Sequence, residues 1–140
     1  MKIVWGSVLD VARGVIGHQV NCRHKAGAGL ALRIKERFPS ATAAYMAKPV
    51  WKLGDALFCV VGPELYVAHL AGQFNYGRGQ KYTDYAALES ALVKATAFAR
   101  DKSLPLCLPY SIGCGLAGGR WSIVSVIIER ACPEAVLYRI

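Results

Sequence analysis

Twice in this chain an apolar run ends in a glycine-rich segment that opens an amphipathic helix, and this repeated order constrains the fold more than any other feature. The first such run is VIGHQVN at 15–21. It leads through Gly27 and Gly29 into a helix expected from Ala28 to Phe38 and stopped by Pro39. The second is LPLCLPY at 104–110. It leads through SIGCGLAGG at 111–119 into WSIVSVIIERA, where Val124, Ile127, Ile128 and Ala131 recur at i, i+3, i+4 and i+7. Further strands are expected at 2–6 and 135–140, and ALFCVV (56–61) and LYVAHLA (65–71) flank a GPE turn as a hairpin. A short helix over 40–48 takes Ser40 as its cap. A longer one over 84–101 takes Thr83, with Asp84 in the first turn at the positive end of the macrodipole. Strands alternating with helices imply an α/β fold, a three-layer α/β/α sandwich around a central mixed, mostly parallel sheet. With 140 residues the chain is expected to form one domain, 1–140.

Charge and composition narrow the partners. The net charge is +8, and between Arg23 and Lys52 the only acid is Glu36, so the excess is concentrated in one segment. Such a segment suits an anionic partner, a nucleotide or a nucleic acid; it is equally what a solvated helix face looks like. No apolar run approaches the roughly 18 residues that span a bilayer, so no membrane partner is expected. The start MKIVWGSVLDVARG is broken by Asp10 and Arg13 before it could act as a signal sequence. Five cysteines without C-x-x-C spacing suggest neither a disulfide framework nor a metal site, and reduced thiols fit a cytoplasmic protein.

Gly113, Gly115 and Gly118 spell G-x-G-x-x-G. A dinucleotide fingerprint would open the first βαβ unit and be followed, about 20 residues on, by an acid for the ribose hydroxyls. Here only AVLYRI follows as a strand, and it contains no acid. The physical content of the pattern remains: glycines let the backbone approach an anion, and unpaired amides at a helix start point toward negative charge. If the two glycine loops face each other, they supply two helix N-termini for two phosphates. Asn21 then stands ready as a neutral group for sugar hydroxyls.

The segments GHQVNCRHKAGAGLALRIKERFP, LGD at 53–55, GQ at 72–73, TDY at 83–85 and SIGCGLAGGRW at 111–121 together resemble the macrodomain family. The match is to the branch with an N-C-x-x-x-x-G-x-G-x-A pattern, which is similar to ADP-ribose-1″-phosphate phosphatases and terminal ADP-ribose glycohydrolases. The resemblance implies ADP-ribose, or a derivative of it, bound at the strand ends without a cofactor or metal. Ser7 and Val8 would lie at the adenine, Ser7 standing where the family usually has an aspartate. Asn21 would face the distal ribose, with Gln73 nearby. Lys25, Ala26, Gly27, Ala28 and Gly29 would form the first phosphate loop. Ser111, Ile112, Gly113, Cys114, Gly115, Leu116, Ala117 and Gly118 would form the second.

For catalysis the resemblance gives less. The glycohydrolase branch uses a lysine after the central strand and an aspartate in the second loop, and the matching positions here are Gln73 and Ala117. The phosphatase branch has a histidine shortly before the asparagine, as His18 precedes Asn21. Residues i and i+3 of a strand face opposite ways unless a bulge or the strand's end intervenes. The catalytic candidates are therefore His18, Asn21 and Asp84, against the alternatives of a core histidine and a structural helix-start acid. His24 could add to the phosphate site, Asn75, Tyr76 and Arg78 would border the distal ribose, and Tyr138 would either stack on adenine or belong to the core. Three functions remain open: a hydrolase removing a 1″-phosphate or ester-linked ADP-ribose, a module that only binds ADP-ribose or a related NAD-derived nucleotide, and a nucleic-acid binder. The expected partners are the nucleotide and ADP-ribosylated macromolecules, and the expected state is a monomer.

Overall fold

The computed structural model describes residues 1–140. In chain order the elements are β1 (Lys2–Trp5), a 3₁₀ turn (Val8–Asp10), β2 (Gly14–Asn21), α1 (Gly29–Arg37), α2 (Pro39–Ala47), β3 (Ala56–Gly62), β4 (Leu65–Gln73), α3 (Tyr85–Lys102), β5 (Leu106–Pro109), α4 (Trp121–Ala131) and β6 (Val136–Arg139). They build one six-stranded sheet in the order β1-β6-β5-β2-β4-β3. Only β3 runs antiparallel, paired to β4 as the expected hairpin. The α/β sandwich with a mixed sheet is thus the architecture that the sequence pattern implied.

Neighbouring residues of β2 show how the layers are filled. Val15 joins Leu70, Leu88, Leu92, Leu108, Val124 and Ile128 in the core between the sheet and α3/α4. Ile16, one residue on, joins Val67, Ile34 and Ala41 in the core under α1 and α2. A strand buried on both faces reads as a nearly continuous apolar run, so the polar residues His18, Gln19 and Asn21 within β2 are its exceptions. No helix is long and apolar enough to cross a membrane.

Two expected caps are replaced. Helix α2 begins at Pro39, with Phe38 as the flanking residue and no side-chain cap bond, so Ser40 lies inside the first turn. Proline at the first helical position loses no hydrogen bond, because that N–H has no intrahelical partner. Thr83 does not cap α3. Asp84 does, its carboxylate accepting from the Ala87 N–H at 2.9 Å, while Thr83 is buried and donates its hydroxyl to the Gly113 carbonyl at 2.6 Å. A carboxylate one residue closer to the helix wins the N–H groups there, which frees the threonine to tie down the second glycine loop.

Candidate functional site

The C-terminal ends of β2, β4 and β5 open into a cleft of about 540 Å³. One wall is Lys25 and the stretch Gly27 to Ala31, which is the entry into α1. The facing wall runs from Pro109 to Gly113 and on through Gly115, Leu116 and Ala117. Gln73 and Tyr76 to Arg78 close one side, and His18 and Gln19 form the floor. The two glycine loops, some 80 residues apart in sequence, therefore face each other across a single space.

The glycines divide into two kinds. A methyl group added at Gly27, Gly29 or Gly115 would meet nothing within 4 Å. Close packing in the protein does not require glycine there. At Gly118 and Gly119 an added Cβ would fall 2.5 Å from the carbonyl oxygens of Gln80 and Gly113, and Gly118 has φ +74°. Those two are glycine because the loop folds tightly upon the 80–83 segment. The amides of Tyr82 and Thr83 donate to the Ala117 carbonyl at 2.7 and 3.0 Å, and the Gly119 amide donates to Gly113 at 2.9 Å. The second loop is thus fixed from behind, with Gly115 and Leu116 exposed in front.

The first wall carries the anion-binding potential. Ala28 flanks α1 without a side-chain cap bond, and no acid stands in the first turn. The opening amides of α1 are left without side-chain partners beside the cleft, at the positive end of the helix. Lys25 and Arg78 line the same cleft, and no aspartate or glutamate does. The local field favours a negatively charged guest.

Behind the floor, Gln19 joins three segments. Its Nε2 donates to Gln73 Oε1 at 2.8 Å and to Thr83 Oγ1 at 2.9 Å, and Gln73 in turn donates to the Asn75 carbonyl at 2.8 Å. Sequence reasoning missed Gln19, although a glutamine inside an otherwise apolar strand is itself the signal of a polar network. It also missed Leu30, Ala31, Pro109 and Tyr110 as cleft residues.

Several candidates stand elsewhere. Asn21 is spent on its own loop: Nδ2 donates to the Lys25 carbonyl at 2.8 Å, and Oδ1 accepts from the Arg23 and Lys25 amides at 2.9 and 3.2 Å. The Tyr45 hydroxyl lies 2.7 Å from the Asn21 main-chain oxygen. Asn21 shapes the first loop rather than lining the cleft. The β2–β4 register slips near here, three steps in β4 from Leu70 to Gln73 matching two in β2 from Gln19 to Asn21. The extra residue sits in β4, so His18 and Asn21 are not turned to one face by a bulge. Ser7 caps the 3₁₀ turn by accepting from the Leu9 amide at 3.2 Å, Val8 is core, and Ala26 packs against the cluster of Val20, Tyr45 and Trp51. Asp84 is occupied as a cap, while Cys114 and Gly118 do not line the cleft.

His18 is buried on the floor with Nε2 2.8 Å from His69 Nδ1, and burial holds its pKa well below the usual value. Burial likewise lowers His69 to about 4. All five thiols are free, and burial raises each one's pKa, Cys132 to about 12. None is poised as a thiolate nucleophile. No group of three His, Cys, Asp or Glu side chains is arranged to hold a metal ion.

No family model matches the chain. An uncharacterized 17.5 kDa protein from the tk-vs intergenic region of enterobacteria phage T4 is 28% identical over 123 residues, which is 81% of this chain and 77% of the phage protein. A protein of unknown function from Bacteroides thetaiotaomicron superposes with TM-score 0.87 at 28% identity, over 100% of this chain and 99% of its own. A macrodomain protein from Streptomyces coelicolor is 27% identical over 99% of both chains, with TM-score 0.80. The chain has the macrodomain fold. The macrodomain fold extends to more distant structures, among them Thermosipho africanus DarTG in complex with ADP-ribose, at 18% identity and TM-score 0.79, covering 99% of this chain and 41% of that one. Within this fold the two glycine loops and the floor between them are the candidate site.

Proposed function

We propose that the cleft binds ADP-ribose or a derivative of it, the diphosphate lying between the Gly27–Gly29 and Gly113–Gly115 backbones. The observation that carries this reading is the open space in front of Gly27, Gly29 and Gly115, beside the uncapped start of α1 and in a cleft whose full charges are Lys25 and Arg78. Bare backbone in a cationic, acid-free groove recognises a diphosphate through amide hydrogen bonds. The complex of the distantly related Thermosipho protein with ADP-ribose supports the same ligand. Calorimetric titration with ADP-ribose tests it: saturable binding is expected, and no heat at millimolar nucleotide refutes it.

One observation favours hydrolysis as a second reading. His18 stands on the cleft floor as a neutral imidazole with Nδ1 unpaired but shielded from solvent, so this reading requires the bound ligand to open a path to it for the water that attacks a 1″-phosphate or an ester-linked ADP-ribose. Phosphate release from ADP-ribose-1″-phosphate, lost in His18→Ala while ADP-ribose binding persists, is the outcome this reading requires. No release by the parent protein leaves the chain a binding module, and unchanged release in His18→Ala removes His18 from the chemistry.

A further inference from the structure

Left-handed backbone singles out one serine in the cleft wall. Where β5 runs into the second glycine loop, two turns follow one another: the Ile112 amide donates to the Pro109 carbonyl at 3.2 Å, and the Cys114 amide to the Ser111 carbonyl at 3.0 Å. Each turn has its third residue at positive φ, Ser111 at +64° in the first and Gly113 at +74° in the second. Such a place favours glycine, because a Cβ there crowds the neighbouring carbonyl. The second turn follows that rule and the first does not.

Three other non-glycine residues take this conformation, and each has a visible reason. His24 Nε2 lies 2.6 Å from the Lys48 main-chain oxygen, the Glu64 carboxylate pairs with Arg13, and Ser103 ends α3, where helices commonly finish left-handed. The Ser111 side chain, by contrast, makes no hydrogen bond within the protein. It is nevertheless open: the side-chain polar atoms that are shielded without a partner are His18 Nδ1 and Gln19 Oε1, and Ser111 Oγ is not among them. Its residue is half-buried and lines the cleft together with Gly113. The fold thus accepts a strained backbone in order to carry a hydroxyl that the free protein does not use.

We propose that Ser111 is a ligand-binding residue whose hydroxyl donates to a phosphate oxygen of the bound diphosphate, a side-chain contact added to those of the loop amides. The diphosphate of ADP-ribose carries lone pairs and no hydrogens, so a hydroxyl meets it only as a donor. A hydrogen bond to a charged oxygen is among the stronger kinds. For the nucleotide this inference rests on the ADP-ribose reading, whereas the phosphate contact itself can be read with inorganic pyrophosphate.

Ser111→Ala and Ser111→Gly, titrated with ADP-ribose and with inorganic pyrophosphate and melted in parallel, test the contact. Both variants lose the hydroxyl, and glycine also relieves the turn. Each should bind both ligands about tenfold more weakly, the scale of one charge-assisted hydrogen bond. The Tm of Ser111→Gly should stay at or above that of the parent, since relief of the left-handed backbone offsets the freedom that glycine adds to the unfolded chain. Pyrophosphate binding by Ser111→Gly within about threefold of the parent overturns the contact. A loss confined to ADP-ribose overturns it too, and moves the hydroxyl to a sugar or the base. A Tm of Ser111→Gly well below the parent makes the serine a residue of the fold and likewise overturns the proposal. If the parent takes pyrophosphate and ignores ADP-ribose, the nucleotide reading fails and the pyrophosphate titrations still decide the contact; if it takes neither, both are refuted.

Discussion

Replacing Gly27 by alanine should make the protein more stable and a poorer binder at once. Gly27 is exposed on the cleft wall, an added Cβ meets nothing within 4 Å, and its φ lies outside the left-handed region. The folded state therefore accepts the methyl group without strain. The unfolded chain loses backbone freedom, which stabilises the protein by about 0.4–1 kcal/mol and raises Tm by roughly 1–4 °C for a chain of this size. The same methyl stands where a phosphate must approach the backbone. Displacing the phosphate removes at least one charge-assisted hydrogen bond, about 1.5–3 kcal/mol, or roughly ten- to hundredfold in Kd. Gly118→Ala is the control of opposite sign: a Cβ there falls 2.5 Å from the Gln80 oxygen at φ +74°, so Tm should drop. Thermal melts beside calorimetry with ADP-ribose separate the two effects. If Gly27→Ala binds within threefold of the parent, or melts lower, glycine at this position does not serve a ligand.

Other perturbations test the remaining structural assignments. Asp84→Asn keeps an acceptor for the Ala87 amide and should leave both stability and any phosphate release unchanged, whereas Asp84→Ala should cost about 1 kcal/mol in a urea melt. Thr83→Val removes the hydroxyl shared by Gln19 and the Gly113 carbonyl; a loss of about 2 kcal/mol and weaker ADP-ribose binding are expected in paired melts and titrations. Burial lowers the pKa of His69 from 6.5 to about 4 and that of His18 in the same direction, so the folded chain binds fewer protons than the unfolded one across that interval. Their contribution to stability is complete above about pH 6.5 and is lost as pH falls toward 4, and a Tm–pH curve should be shallower there in His69→Gln.

Where the sequence carried a periodic signal, the fold could be read from it. The hairpin, the amphipathic α4 and the two strand–glycine–helix units appear with boundaries within a residue or two of the expected ones. Caps were less legible: Thr83 and Asp84 are both good cap residues, and which one meets the helix depends on a tertiary partner, the Gly113 carbonyl, that lies 30 residues away. The glycine pattern pointed to the loops without separating glycines that leave space from glycines that fill it. That difference is set by the 80–83 segment, whose approach to Gly118 and Gly119 no local pattern encodes. Asn21 looked like a ligand for sugar hydroxyls because of its residue type and place, and its side chain instead folds the loop that follows it. His69 drew no attention as a partner of His18, since pairing across β2 and β4 depends on register.

The anchoring of the 111–119 segment to Tyr82 and Thr83 bears on the kinetics of recognition. Amides whose directions are set when the chain folds need no rearrangement when a guest arrives, so the ordering cost falls on folding and not on each encounter. Capture by this half of the site should follow single-step kinetics, its rate governed by diffusion and by the attraction of Lys25 and Arg78.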